Sequence, residues 1–301
     1  MTKKTKEAIK ATAAIVIAVA AIFVLWIYPL NQSGKIIARP EQESQSVPQD
    51  QLGLSGDTVK IVTEDNLKLN GALFAPAKPR GTFILVHGLF ADGGSQWPKA
   101  KALVDSGFDV FLYDQRGYGG SEGRFFSGGY FEANDLQSVV SQLDLRNRLV
   151  HPVIVWGEDH GGTAGIREWQ QESRIDFVVA ENPVVYGRDW QKRIIAHRQM
   201  SAPDLLLPVI WWWMKQKSGY EIPIEETDIS DQVGWALTNK PGKMLLIACG
   251  SGDRPDNRYV EKLKTIGGAW MVFPCIGPSL FAAHQEQLLA AIMKMVTAPR
   301  P

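Results

Sequence analysis

Glu158, Asp159 and His160 stand in a row in VIVWGEDHGG, between an apolar run and a pair of glycines. Carboxylates and imidazoles are the groups on which nucleophilic and general-base catalysis draw. Gly157 and Gly161 flank the three at a spacing that lets a strand and a following helix approach closely, and Gly162 adds a second small position on the helix. A residue in so tight a turn is forced into a sparsely populated backbone region, which Asp tolerates better than most side chains. Asp159 therefore suits the turn sterically. Two adjacent carboxylates would repel and raise the first proton affinity of the pair, so Glu158 is expected to point outward as a solvated side chain. A metal site built from His87, Asp159, His160 and Asp253 lacks any ligand spacing of the H-x-x-x-H kind, and none is expected.

The elements that must position these residues follow from hydrophobic period. TVKIVT and LKLNGALFAP, separated by Glu64, Asp65 and Asn66, read as an N-terminal hairpin from Asp57 to Pro76. TFILVHG, FDVFLYD, VIVWG, DFVVAEN, KMLLIA and AWMVFP are short apolar runs of the buried-strand type. Helical stretches are expected at about 97–106, at 130–145 and from His160 onward, and after each of the last two strands. Strands alternating with helices imply an α/β domain with a mostly parallel sheet and helices on both faces. Residues of about 184–240 break the rhythm with Trp190, Trp211, Trp212 and Trp213. An insertion there would sit over the carboxyl ends of the strands as a lid, its tryptophans serving either a ligand or the packing of the insertion itself.

The chain has 301 residues, 45% of them hydrophobic, which is enough for one large domain. Lys plus Arg and Asp plus Glu both total 32, so no net field draws it to nucleic acid. The cysteines are Cys249 and Cys275, too few for a disulfide scaffold. They end strands expected to be neighbours, where a disulfide is conceivable in an oxidising compartment and buried thiols are the commoner outcome.

Residues 12–30 form an uncharged, Ala-, Ile- and Val-rich run of bilayer-spanning length, preceded in the basic tail 1–11 by Lys3, Lys4, Lys6 and Lys10. The run exceeds a signal-peptide core and no A-x-A site follows it, so an uncleaved anchor is expected. The lysines would keep the N-terminus cytoplasmic, leaving the domain outside the cell membrane. Residues 31–56 read as a polar tether, and 57–298 as the folded domain.

Four landmarks in chain order resemble the α/β-hydrolase superfamily, in particular its serine-aminopeptidase and monoacylglycerol-lipase-like branch. LVHGLFADGG is similar to the H-G turn whose next backbone N–H, here that of Leu89, supplies half of an oxyanion hole. YDQRGYGGSEG matches the branch's D-x-R-G-x-G-x-S-x-G pattern from Asp114 through Arg116 to Gly123. VIVWGEDHGG resembles the nucleophile elbow G-x-S-x-G, with Asp159 in place of serine and the His160 N–H as the second oxyanion donor. MLLIACGSGDRPDN resembles the strand-to-turn segment that ends in the triad acid, which makes Asp253 that acid. The turn that holds histidine in the branch aligns best with Pro278, and His284 follows six residues later.

The resemblance implies a hydrolase without an organic cofactor or metal. Aspartate nucleophiles occur in the superfamily's dehalogenases and epoxide hydrolases, where the carboxylate attacks an sp³ carbon and histidine activates water. Two readings follow. In one, Asp159, Asp253 and His284 form an active set, with His160 as an alternative base, acting on a small apolar ester, acyl compound or halide. In the other, the chain is a catalytically degenerate binding or scaffold protein, because function lies in the site and not in the fold. Asp114 and Arg116 are expected to form a structural turn pair, and His151 and His197 to lie on the surface or in the lid.

Overall fold

The computed structural model describes residues 2–37, 53–54, 56–89, 91–185, 195, 203–218, 228–250, 269–274 and 280–298. The helices are α1 (Lys3–Ile22), α2 (Tyr28–Ile37), α3 (Trp97–Asp105), α4 (Tyr130–Leu145), α5 (His160–Gln171), α6 (Leu207–Ser218), α7 (Ser230–Asn239) and α8 (Leu280–Thr297). The strands are β1 (Asp57–Val62), β2 (Lys68–Phe74), β3 (Thr82–Val86), β4 (Asp109–Tyr113), β5 (Val153–Glu158), β6 (Phe177–Glu181), β7 (Met244–Gly250) and β8 (Ala269–Pro274). By contact the chain divides into Met1–Ala38 with Gln191–Ile222, and Arg39–Trp190 with Pro223–Pro301.

The larger unit is built on one eight-stranded sheet of order β1-β2-β4-β3-β5-β6-β7-β8. β1, β2 and β4 pair antiparallel, and every pairing from β4 through β3 to β8 is parallel. All five residues of β3, β4 and β6 are buried, as expected of strands covered on both faces. Alternation assigns them to two cores. Ile84, Val86, Val153 and Val155 meet Leu136, Val139 and Val140 of α4, Ile166 and Trp169 of α5, and Val233 and Ala236 of α7. Phe83, Leu85, Ile154 and Trp156 meet Ala100 and Leu103 of α3 and Phe281, Leu288 and Ile292 of α8. Each fully buried side chain of this size contributes about 1.5–3 kcal/mol relative to exposure, so the central strands are the best anchored part of the chain.

The end of β4 is locked by charge. Arg116 is buried and donates from Nε and Nη2 to Asp135 (2.7 and 2.6 Å) and from Nη1 and Nη2 to Asp65 (2.9 and 3.1 Å). Asp114 accepts instead from the backbone N–H groups of Gly93 (2.7 Å) and Gly120 (2.8 Å). Both residues are structural, as expected, yet they do not pair with each other.

In the smaller unit α1 runs through a π-helical turn, Phe23–Ile27, into α2. Helix thus continues to Ile37, past the point where the polar tether was expected to begin at residue 31. The reason is local: Ser33 Oγ donates to Leu30 O (2.7 Å), and Gln32 and Ser33 are buried. Residues 38–52 of the expected tether lie outside the described residues. Lys3–Lys35 is long and apolar enough to cross a membrane, with a mean hydropathy of 2.6, and 6% of its most apolar window is buried within the chain. The insertion expected at about 184–240 is divided: α6 belongs to the smaller unit, whereas α7 belongs to the larger, with Ile229, Val233 and Ala236 in the core at helical spacing. Trp190 and His197 lie outside the described residues.

Glu168, on α5, is buried, and its Oε1 has no partner among the described residues. Burial, with Glu172 nearby, pushes its carboxyl from the ordinary 4.5 up to about 8. The folded chain therefore holds a proton that the unfolded chain releases, so this group's contribution to stability is full below about pH 4.5 and is lost as pH rises towards 8. Glu168→Gln removes the titration. It should raise the melting temperature at pH 8.5 and change it little at pH 4.5; equal shifts at both pH values would contradict this account.

Candidate active site

Asp159 joins β5 to α5 at φ 46°, ψ −117°, a conformation outside the regions most side chains occupy. Its N–H donates to Glu181 O at the end of β6 (2.8 Å), and its carbonyl accepts from Thr163 N–H (3.1 Å). Thr163 Oγ1 also engages Val184, donating to its carbonyl (3.0 Å) and accepting from its N–H (2.9 Å). The turn leaves no room for side chains beside it. A methyl on Gly157 would lie 2.3 Å from Gly161 O, and one on Gly161 would lie 2.6 Å from His87 O. Val86 is level with Gly157 in the parallel register, which brings the turn after β3 against the elbow. A methyl on Gly88 would lie 2.8 Å from Asp159 Oδ2, so the carboxylate rests against the backbone that leads to Leu89. Leu89 and Asp159 are both partly exposed.

Behind the elbow lies a buried polar relay. His87 Nδ1 donates to Gly88 O (2.9 Å), and its Nε2 accepts from Gln115 N–H (3.0 Å), which fixes the neutral tautomer. Gln115 Nε2 donates to His87 O (2.7 Å) and meets His160 Nε2 at 3.1 Å. The His160 ring stacks on Tyr118 with centroids 5.6 Å apart, and the residue is fully buried. Burial, with His87 beside it, holds the His160 imidazole well below its usual range, and burial likewise lowers that of His87. The His160 Nε2 is thus occupied by an amide donor, while its Nδ1 has no hydrogen-bond partner among the described residues. Its backbone N–H is at the start of α5, where an oxyanion donor is needed.

On the other face of β5, Glu158 is partly exposed but is not left to solvent alone. It forms an ion pair with Lys99 of α3, whose Nζ also meets Glu181 Oε1 at 2.7 Å. Lys99 is buried and lies over the Trp156 ring, and Trp156 Nε1 donates to Glu181 Oε1 (2.5 Å). The register sets Glu158 level with Glu181, so two carboxylates are adjacent across parallel strands and need a cation between them. Burial pushes both carboxyls up; Lys99 more than offsets this at Glu158, which falls below its usual value, whereas Glu181 remains raised. Despite its own burial, Lys99 is raised by the two carboxylates.

His284 lies near the start of α8, at a break in helical geometry (φ −134°, ψ 25°), with its ring 4.6 Å from that of Phe273 on β8. Asp253 and Pro278 lie outside the described residues, as does Cys275. The backbone of Cys249 is level with Phe273, which confirms that β7 and β8 are neighbours. His151 is exposed and contacts Asp176 at 2.6 Å, as a surface residue should. Gln115, Thr163 and the Lys99 cluster were not singled out from sequence. Gln115 occupies a variable position of the D-x-R-G pattern and Lys99 an ordinary helical one, so neither carries a signal of its own.

The description "Serine aminopeptidase, S33" belongs to a family whose profile matches residues 77–228, just over half of the chain. The chain is 28% identical to the uncharacterized protein YqkD of Bacillus subtilis (strain 168) over 156 residues, 50% of each chain. It is also 28% identical to the uncharacterized protein YfhR of Escherichia coli (strain K12), over 36% of this chain and 39% of that one. The chain thus spans about half the length, or less, of these curated relatives. Among solved structures it is similar to the Pyrococcus furiosus esterase Pf2001, with TM-score 0.61 and 21% identity over 86% of this chain and 97% of that one. A membrane phospholipase A described as a bacterial virulence factor superposes with TM-score 0.56 and 15% identity, over 97% of this chain and 100% of that one. These likenesses show the α/β-hydrolase fold, and the profile match shows the family: the chain belongs to the serine aminopeptidase S33 family.

Proposed function

We propose that this is a membrane-anchored hydrolase whose nucleophile is Asp159, acting on a small apolar ester, acyl compound or halide. The observation that carries the reading is the elbow itself: a carboxylate, partly exposed, occupies the strained strand-to-helix turn at the carboxyl edge of the sheet. In the reaction one Asp159 oxygen attacks an sp³ carbon while the bond to the leaving group breaks and the leaving group keeps the electron pair. Water then adds to the carbonyl carbon of the resulting ester, His284 taking its proton and Asp253 orienting the imidazole. The tetrahedral intermediate collapses with cleavage of the bond from that carbon to the alkyl oxygen, the alcohol leaves with the proton held by His284, and the Asp159 carboxylate is restored. The Leu89 and His160 N–H groups would receive the negative charge that develops on the Asp159 carbonyl oxygen. The esterase and phospholipase named among the structural neighbours support the acyl-ester class. No cofactor enters the scheme.

A second reading, a catalytically degenerate binding or scaffold protein, is favoured by Pro278 at the position aligned with the family histidine and by the sequestered imidazole of His160. Triad members act as a unit, so the loss of one is severe. In both readings a small molecule is the ligand and the N-terminal helix the contact with the membrane. Neither has a nucleic-acid partner.

Intact-mass measurement after exposure to esters, epoxides and haloalkanes should show an adduct on the Asp159 peptide, while serine-directed fluorophosphonates should leave the elbow unlabelled. Fluorophosphonate labelling that disappears in Asp159→Ala would sink the carboxylate nucleophile. No adduct, together with no turnover, would favour the binding protein.

Asp159→Ser alone is expected to give weak esterase activity, and Asp159→Ser with Pro278→His measurably more, because a serine hydroxyl needs a positioned base. Rates on a short acyl ester decide it, with His284→Ala as a third arm. Equal rates in the single and double variants, abolished by His284→Ala, would show instead that His284 already supplies the base.

The four lysines ahead of the apolar run should hold the N-terminus in the cytoplasm and export the domain. Reporters fused after Pro301 test this: alkaline phosphatase should be active there, and a fusion active only with a cytoplasmic reporter would reverse the topology.

A further inference from the structure

The smaller unit joins two segments far apart in sequence, and their junction is aromatic. The Trp26 ring lies 5.5 Å from that of Trp213, edge to face, and 5.9 Å from that of Trp212. Lys217 Nζ donates to Leu30 O (2.7 Å), which fixes the end of α6 to the start of α2. A methyl on Gly34 would lie 2.6 Å from that same Nζ, so the two helices pass close together. On α6, Ile210, Trp211 and Met214 are buried. On the opposite stripe Pro208 and Trp212 are exposed, Trp212 by 45%, and so is Leu205, by 87%, in the 3-10 turn Asp204–Leu206 that leads into α6. Lys215 and Lys217 follow at its C-terminal end.

Depth along the helix says what covers that stripe. Trp26 lies about 16 residues beyond Lys10, roughly 24 Å at a rise of ~1.5 Å per residue. The hydrocarbon core of a bilayer is about 30 Å thick. With Lys10 at the near boundary, Trp26 comes within roughly 6 Å of the far one, close to the interfacial belt where tryptophans concentrate. Trp212 and Trp213 touch Trp26 and so share its depth. We propose that α6 is a membrane-interface element: Leu205, Pro208 and Trp212 enter the headgroup region of the bilayer that holds the N-terminal helix, while Lys215 and Lys217 meet lipid phosphates. The apolar face of one helix and the basic residues at its end are the pattern by which interfacial helices bind lipid surfaces. This rests on the reading of the N-terminal helix as an anchor.

The full chain, with Cys249→Ala and Cys275→Ala, is reconstituted in vesicles of phosphatidylcholine with a minority of phosphatidylglycerol. Nitroxide labels are placed singly at Leu205→Cys, Trp212→Cys, Val19→Cys on the anchor, and Leu145→Cys, which is 81% exposed on the larger unit. Accessibility to a water-soluble nickel chelate should be several-fold lower at positions 205 and 212 than at 145, with oxygen accessibility raised. Labels at 205 and 212 as open to nickel as that at 145, with 19 protected, would overturn the proposal and leave the anchor standing. An open label at 19, or a purified chain whose mass lacks the N-terminal segment, would overturn both.

Discussion

Between Gly157 and Gly161 the chain turns from strand to helix so tightly that a methyl group on either glycine would collide with backbone, and Asp159 is left at a positive φ. Holding a non-glycine residue in such a region costs of order 1–3 kcal/mol. The bonds of the turn to Glu181 O and of Thr163 to Val184 help to offset that cost, and the buried strands on either side keep it from relaxing. The presentation of the Asp159 carboxylate, the close approach of Gly88 and the direction of the first α5 N–H groups all depend on this turn. The constraint is set by the glycines and by the sheet.

Around the elbow the polar groups are sorted by burial. His87, Gln115 and His160 are sealed on one side, with both ring nitrogens of His87 and Nε2 of His160 engaged by neighbours, whereas His160 Nδ1 has no hydrogen-bond partner among the described residues. Lys99, Glu158 and Glu181 form a charged cluster on the other. Breaking a buried ion pair by removing one partner leaves an uncompensated charge, so the cluster constrains α3 to the edge of the sheet on which Asp159 stands. The frame around position 159 is thus held from both sides.

The two units differ in how sequence builds them. The sheet grows from neighbouring βα segments, whose connections are local and whose order follows from chain direction. The smaller unit depends on a contact between residues 187 positions apart, that of Lys217 with Leu30. No hydrophobic period reports such a contact.

Much of the fold was legible because its signals are local. Apolar runs of strand length, helical spacing at 130–145 and the glycines at 157 and 161 each depend on near neighbours alone, and they placed α4, the start of α5 and the elbow correctly. A sparsely populated backbone region at Asp159 was implied by the resemblance to the nucleophile elbow, and Asp is one of the few non-glycine residues that tolerate the positive φ found there. Glu158 was read wrongly because sequence cannot give strand register, and it is register that sets Glu158 beside Glu181 and within reach of Lys99. The packing of the His160 ring on Tyr118 and the contact of its Nε2 with the Gln115 amide were not readable from sequence either, because both bring together residues more than forty positions apart. The division of the insertion was likewise decided by tertiary contact, since α7 joins the core that its apolar face completes, while Gln32 and Ser33 are polar yet buried in a helix that runs on to Ile37. Residue types and short spacings thus determined which groups stand at the turn, while long-range packing decided what surrounds them.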